Sequence, residues 1–349
     1  MSANGAWQAG ERIGPYVLVS PKGSGGMGAV WEAESPSGQR VALKLMHSHL
    51  ADDADLIRRF RREYEVGVNV RHPNLVEMLD SGVIDGIPYL VMQLAEGKPI
   101  RRLIERGGPF REGDVAAMGA QIANGLAALN LAGVVHRDIK ASNIVVDRRL
   151  HVIIIDYGIA RVEGERTITE AGSFIGSAEY SSPEPYLGRK PDARSDVYSV
   201  GIVMYELLTG KVPYRSDRYT DTLRMHAELP VPRVSEREPM VSRGMDDLVY
   251  SMLQKQPARR PTAEQVAEAC RAISYSHGRS APAPNQQPAN VPRSAPVPQP
   301  SPSMPLQPMP SYEDPDGDTS NRAAIAVALA AAVGAAIVFA AVLAAVVAS

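Results

Sequence analysis

The chain has 349 residues, enough for one large domain or two small ones, and its 37 basic residues nearly balance its 39 acidic ones. That balance argues against a nucleic-acid-binding protein, which would carry a marked basic excess. A lone cysteine, Cys270, excludes an intramolecular disulfide framework and reads as a small apolar residue in a helix.

Residues 1–15 form an N-terminal tail with no apolar stretch of the kind a signal peptide needs. Apolar runs at Tyr16–Val19, Ala29–Ala33 and Val41–Met46 predict strands, the first two flanking a glycine-rich turn. Asp55 to Val70 reads as a charged helix, followed by short strands at Val76–Leu79 and Tyr89–Met92. Beyond Glu96 helices dominate. Val115, Met118, Ile122, Leu126 and Leu129 recur at steps of three and four on one face, and Gly133 is placed to end that helix. A mostly β segment (about 16–94) before a mostly α segment (about 96–275) predicts an α+β fold of two lobes with a cleft between them.

The next segment, 276–322, holds twelve prolines between Ala281 and Pro315. Proline fixes φ and lacks a donor, so a disordered spacer is expected. Its Pro302-x-x-Pro305 and Pro305-x-x-Pro308 spacings suit a partner that binds polyproline II segments, with a plain spacer as the competing reading. Residues 323–348 carry no charge, and 26 residues exceed the roughly 20 that a bilayer requires. Fourteen of them are alanine, which a soluble helix would also tolerate; eleven larger apolar residues all round favour a membrane span. Ala326, Ala330 and Gly334 form a row of small residues that could pair two such helices.

The chemistry is concentrated in four short stretches. Gly23-Ser24-Gly25-Gly26-Met27-Gly28-Ala29-Val30 fits G-x-G-x-x-G-x-V, where missing Cβ atoms let backbone N–H groups approach phosphates. A strand follows these glycines, which argues against a dinucleotide-binding turn. Sixteen residues past Gly28, Lys44 alternates with Val41, Leu43 and Leu45, and a lysine in a core-covering strand needs a partner. Glu63 supplies one, with Glu65 as the competing choice. His136-Arg137-Asp138-Ile139-Lys140-Ala141-Ser142-Asn143 then gathers an acid, a lysine and an amide, and Val152–Ile155 delivers Asp156-Tyr157-Gly158. Asn143 and Asp156 offer hard oxygen ligands suited to Mg²⁺.

In this order the motifs resemble those of Hanks-type protein kinases, specifically the bacterial eukaryotic-like Ser/Thr branch. Val41-Ala42-Leu43-Lys44, Asp156-Tyr157-Gly158 and Ser182-Pro183-Glu184 stand where that family has V-A-I-K, D-F-G and A-P-E. The resemblance implies ATP as phosphate donor, Mg²⁺ (or Mn²⁺) as cofactor and protein Ser/Thr hydroxyls as acceptors. It implies that Gly23, Ser24, Gly25, Gly26, Met27, Gly28 and Val30 cover the phosphates, and that Lys44, paired to Glu63, holds them. Ala42, Met92, Gln93, Ala95 and Val145 would surround adenine, with Met92 as gatekeeper. Asp138 would take or orient the substrate proton, Lys140 would steady the γ-phosphate, and Asn143 and Asp156 would hold the metal. Lys140 and Ser177 favour Ser/Thr over Tyr acceptors, and Glu184 is expected to pair with Arg260. A catalytically dead scaffold and a small-molecule kinase are the alternatives; the intact motifs oppose the first, and the Ser182–Glu184 and Ser177 segment the second.

Three departures and one switch follow from the same comparison. Tyr157 replaces phenylalanine and needs a partner for its hydroxyl, and Ser182 replaces alanine without consequence. Gly67, four residues past Glu63, stands where the family has a large apolar residue. A packing gap is expected there, with Gly67→Leu raising basal activity. Arg137 before the catalytic aspartate suggests activation by phosphorylation at Thr169, or next Thr167, by a second copy of the kinase. With ATP in the cytosol, the kinase domain would be cytoplasmic and anchored to the inner (plasma) membrane by a single pass.

Overall fold

The structure is a computed structural model and describes residues 7–157 and 178–277. Thr167, Thr169, Ser177, the proline-rich segment from residue 278 and the apolar segment 323–348 lie outside the described residues. Among the described residues, no helix is long and apolar enough to cross a membrane.

The two expected lobes are present. The first is an antiparallel six-stranded sheet in the order β1-β2-β3-β4-β6-β5, built from β1 (Arg12–Ile13), β2 (Tyr16–Ser24), β3 (Gly28–Glu34), β4 (Arg40–Met46), β5 (Met78–Ile84) and β6 (Ile87–Gln93). Alternation along β2 to β4 buries Leu18, Trp31, Leu43 and Leu45 on one face, where they form a small separate core. Helix α1 (Ala54–Asn69) packs on β5 and β6. Asp53 caps it by accepting the backbone N–H groups of Asp55 and Leu56.

Two expectations need correction here. Residues 7–15 are not all tail, because β1 pairs with β2 and Gly10 donates its N–H to Leu18 O at 2.7 Å. Left-handed turns at Gly10 (φ +84°) and Gly14 (φ +56°) fold the chain back, and Trp7 and Ile13 pack against the small core. Also, the strand expected at Val76–Leu79 begins two residues later, at Met78, and runs on to Ile84. Val76 donates its N–H to Ile154 O at 2.9 Å instead, and β5 has an irregularity before Asp80.

The second lobe holds a small sheet, β7 (Lys98–Pro99), β8 (Ile144–Val146) and β9 (Val152–Ile154), among helices. In chain order these are α2 (Ile100–Gly107), α3 (Glu112–Leu131), α4 (Ala193–Thr209), α5 (Tyr219–Glu228), α6 (Arg243–Met252) and α7 (Ala263–Ser276). The five expected apolar positions of α3 are all buried, but so are Ala116, Ala117, Gly119, Ala120 and Ala123. Small residues let α4 and α7 close around it. At Gly119 a Cβ would already lie 3.0 Å from Cys270 Sγ and Met204 Sδ. Cys270 is fully buried in that contact, and burial pushes its thiol up to about 12.

The expected Glu184–Arg260 pair is present, with Nη2–Oε1 at 2.6 Å and Nη1–Oε2 at 3.1 Å. Three backbone carbonyls, of Gln254, Arg194 and Lys255, accept the remaining guanidinium bonds. Burial pushes the Glu184 carboxyl up, but Arg260 and Ser195 outweigh it and hold it below its ordinary value.

His226 of α5 is likewise buried, its Nδ1 2.9 Å from the Tyr198 hydroxyl and its ring edge-on to Tyr198 and Tyr214. Burial, and then the Lys255 ammonium that donates to its carbonyl, push it down from 6.5 to about 3. The unfolded chain therefore binds a proton that the folded one refuses. The resulting stability is full above pH 6.5 and is lost as pH falls toward 3. His226→Gln is expected to recover about 2 kcal/mol of the stability lost between pH 7 and 4.5, read from urea midpoints. Parallel losses in both proteins would contradict this.

Candidate active site

The cleft between the lobes collects the residues singled out in the sequence. The β2–β3 hairpin presents the glycine-rich turn, closed by Gly25 N–H donating to Gly28 O at 2.9 Å. Gly28 is required by the protein itself, since a Cβ there would sit 2.0 Å from Leu45 O. Gly23, Gly25 and Gly26 have nothing within 4 Å of a would-be Cβ. Their bareness answers to no protein neighbour and suits a phosphate chain lying against the backbone. His47 supports this turn. Its N–H donates to Met27 O at 3.1 Å, its Nε2 lies 3.0 Å from Gly25 O, and it stacks between Trp7 and His49.

Lys44 on β4 donates to both carboxylate oxygens of Glu63 at 2.9 Å and lies 3.9 Å from Asp156 Oδ1. Glu63 is 1% exposed, whereas Glu65 points outward. Burial by itself would lower the Lys44 ammonium; Asp156 and Glu63 outweigh it and hold the group charged far above its ordinary value. Burial also pushes the Glu63 carboxyl up, against the pull of Lys44.

The His136–Asn143 loop is drawn tight by its own side chains. Asp138 Oδ2 accepts from Lys140 Nζ at 2.7 Å and from Asn143 Nδ2 at 3.0 Å, and Asn143 Nδ2 also reaches Asp138 O at 3.0 Å. With Nδ2 so engaged, the Asn143 Oδ1 accepts a long 3.5 Å bond from Ser142 and keeps capacity for a cation. Asp156 is 37% exposed beside Lys44, as a carboxylate that must meet solvent-borne metal would be. These donors fit Mg²⁺, and the bare glycines fit a nucleotide triphosphate.

Arg137 adopts a left-handed backbone (φ +65°), which costs energy for a side chain with a Cβ. Asp196 at the start of α4 holds it there. Its carboxylate accepts the N–H groups of His136 at 2.7 Å and Arg137 at 2.8 Å. Burial pushes Asp196 upward, opposed by His136 and by these two backbone bonds. His136 is fully buried and accepts the Asp138 N–H on Nδ1, which makes it a packing residue.

Around the expected adenine position, Ala42, Met92 and Val145 are buried, Val30 and Ala95 partly so, and Ala42 and Met92 face each other across β4 and β6. Gln93 ends β6, and its N–H donates to Glu77 O at 2.9 Å.

The gap expected at Gly67 does not exist. A Cβ there would lie 2.2 Å from Met78 Cγ and 2.9 Å from Tyr157 Cε2, so two side chains from other elements already fill the space. The Tyr157 hydroxyl has its partner, donating to Val76 O at 2.5 Å, and the ring is 1% exposed.

A protein kinase domain family model matches residues 16–270. The serine/threonine-protein kinase Pkn1 of Myxococcus xanthus is 36% identical over 257 residues, covering 72% of this chain and 37% of that protein. Serine/threonine-protein kinase PrkC of Bacillus subtilis is 35% identical over 260 residues, covering 74% and 40%. The crystal structure of the PknI kinase domain of Mycobacterium tuberculosis aligns with a TM-score of 0.62 at 25% identity, over 77% of this chain and 100% of that one. The chain spans about two-fifths of the length of the curated relatives it matches. On the family match and the arrangement of the cleft together, the chain belongs to the protein kinase domain family.

Proposed function

We propose that the chain transfers the γ-phosphate of ATP to Ser and Thr hydroxyls of proteins. The observation that carries this is the single cluster in which a charged Lys44, held by buried Glu63, stands 3.9 Å from Asp156. Lys44 presents its ammonium to phosphate oxygens, and Glu63 keeps the side chain from swinging away. Asp138, steered by Lys140 and Asn143, receives or orients the proton of the acceptor hydroxyl. Lys140 then neutralises charge arriving on the transferred group. Asn143 and Asp156 are the residues to hold Mg²⁺, which when bound offsets the negative charge of the phosphates. Catalysis here is positioning and electrostatics, and the protein forms no covalent bond.

Regulation is part of the proposal. Autophosphorylation at Thr169 or Thr167 by a second copy would place a dianion for Arg137 to meet. The apolar segment 323–348 would tether the domain to the membrane with the kinase on the cytoplasmic side, and the proline-rich segment would set its reach.

Incubating the full chain with labelled ATP, Mg²⁺ and a protein acceptor should give label on Ser and Thr. Asp138→Asn should lower the rate by about 10²–10⁴-fold, the usual worth of a positioned base. Undiminished incorporation by Asp138→Asn would defeat the assignment.

A further inference from the structure

Arg101, near the start of α2, is fastened at both ends. Its backbone N–H donates to Ala141 O of the catalytic loop at 3.0 Å. Its guanidinium bridges two carboxylates, Nη1 donating to Glu206 Oε1 at 3.2 Å and Nη2 to Glu179 Oε2 at 3.1 Å. Nη2 also reaches the Tyr180 oxygen at 3.1 Å, and Tyr180 donates to Glu206 Oε2 at 2.5 Å. Arg215 Nε lies 3.3 Å from the other oxygen of Glu179.

The burial is lopsided. The carboxylates are 4% and 3% exposed, but Arg101 is 30% and Arg215 69% exposed. A purely structural pair looks different, as in Glu184–Arg260, where the guanidinium is 0% exposed. Here two fixed acids form a floor, and two arginines cover it from the solvent side. Buried carboxylates sharing one guanidinium repel each other and require a cation. The floor also adjoins the catalytic base, because Tyr180 lines one cavity together with Arg137, Asp138, Ser181 and Ser182.

We propose that Glu179, Glu206 and Tyr180 form an acidic peptide subsite that the chain fills with its own Arg101, so that Arg101 determines substrate selectivity. An arginine near the acceptor hydroxyl then gains nothing in the native protein. With the Arg101 guanidinium gone, the same floor recruits an arginine from the peptide. This rests on the protein kinase reading above, and the inference concerns the peptide's composition.

The experiment compares acceptor peptides in which each position around one serine is alanine or arginine, phosphorylated by the native chain, Arg101→Ala and Arg101→Gln. The glutamine variant keeps an amide donor on the floor and guards against loss of folding. The native chain should show less than about threefold preference, while the variants should favour arginine at one position by about ten- to hundredfold in kcat/KM. Methylguanidinium should compete with that arginine peptide for Arg101→Ala and leave the native chain unaffected. Adding Glu206→Gln to Arg101→Gln should erase the preference. A native chain that already prefers arginine, or variants that never acquire the preference, would overturn the proposal. Failure of the native chain to label any peptide or protein would instead count against the kinase reading.

Discussion

Gly67→Leu is expected to lower activity by about ten- to hundredfold, the reverse of what the residue pattern alone suggests. Forcing methylenes into a filled site costs about 1–3 kcal/mol, and 1.4 kcal/mol is tenfold in a population. The cost falls on the active arrangement because Gly67 lies one turn past Glu63 on α1. A side chain there must push either Met78 or Tyr157. Met78 has rotatable bonds to yield with; Tyr157 is 1% exposed and pinned through its hydroxyl to Val76. The strain is relieved most simply by α1 moving off β5, which draws Glu63 away from Lys44. Label incorporation by Gly67→Leu and by Gly67→Leu with Met78→Ala tests this. The double variant, with room restored, should regain part of the loss. Unchanged or raised activity in the single variant would show that α1 is not seated by this contact.

The second large effect concerns stability. Arg260→Met should cost about 3–5 kcal/mol, because it strands Glu184, whose side chain is 3% exposed, without its counter-ion. It also frees the carbonyls of Gln254, Arg194 and Lys255 from their donor. For a domain of this size that corresponds to roughly 10 °C in Tm. Arg260→Met combined with Glu184→Leu removes both charges and should recover a good part of the loss, since an uncompensated buried charge is costlier than an apolar pair. A double variant no more stable than the single one would mean that packing around Tyr198, over which the guanidinium lies at 4.9 Å, dominates instead.

The contrast between these two sites shows what a linear sequence makes legible. Lys44, Asp138, Lys140, Asn143 and Asp156 could be picked out because their chemistry is packed into short runs with fixed offsets. Glu63 could be preferred to Glu65 for the same reason, and the two lobes follow from the change in apolar periodicity. Gly67 looks like a gap in the sequence because its neighbours, Met78 and Tyr157, come from different elements, and the space around a glycine is a property of them. Tyr157 and Gly67 each departed from the family pattern, and only in three dimensions do the departures meet. The Arg101 network joins residues 78 and 105 positions apart, with no local signal at either end. Nothing in the sequence around Asp196 shows its task of holding a left-handed Arg137, which depends on the backbone of a loop 59 positions away. β1 has no signature in the sequence because two residues carry no periodicity.

The short strand β1 carries the folded domain back beyond the start of the family pattern. The family pattern starts at Tyr16, but β2 there is a nine-residue strand whose outer side is met by Arg12 and Ile13. A two-residue strand offers too little hydrogen-bonding length to template another chain, so it ends the sheet and discourages growth. A polypeptide trimmed to the recognisable pattern would expose the whole start of β2 and lose Trp7 from beside His47. The segment ahead of the first motif is thus a guard against edge-to-edge association as well as a brace for the glycine-rich turn.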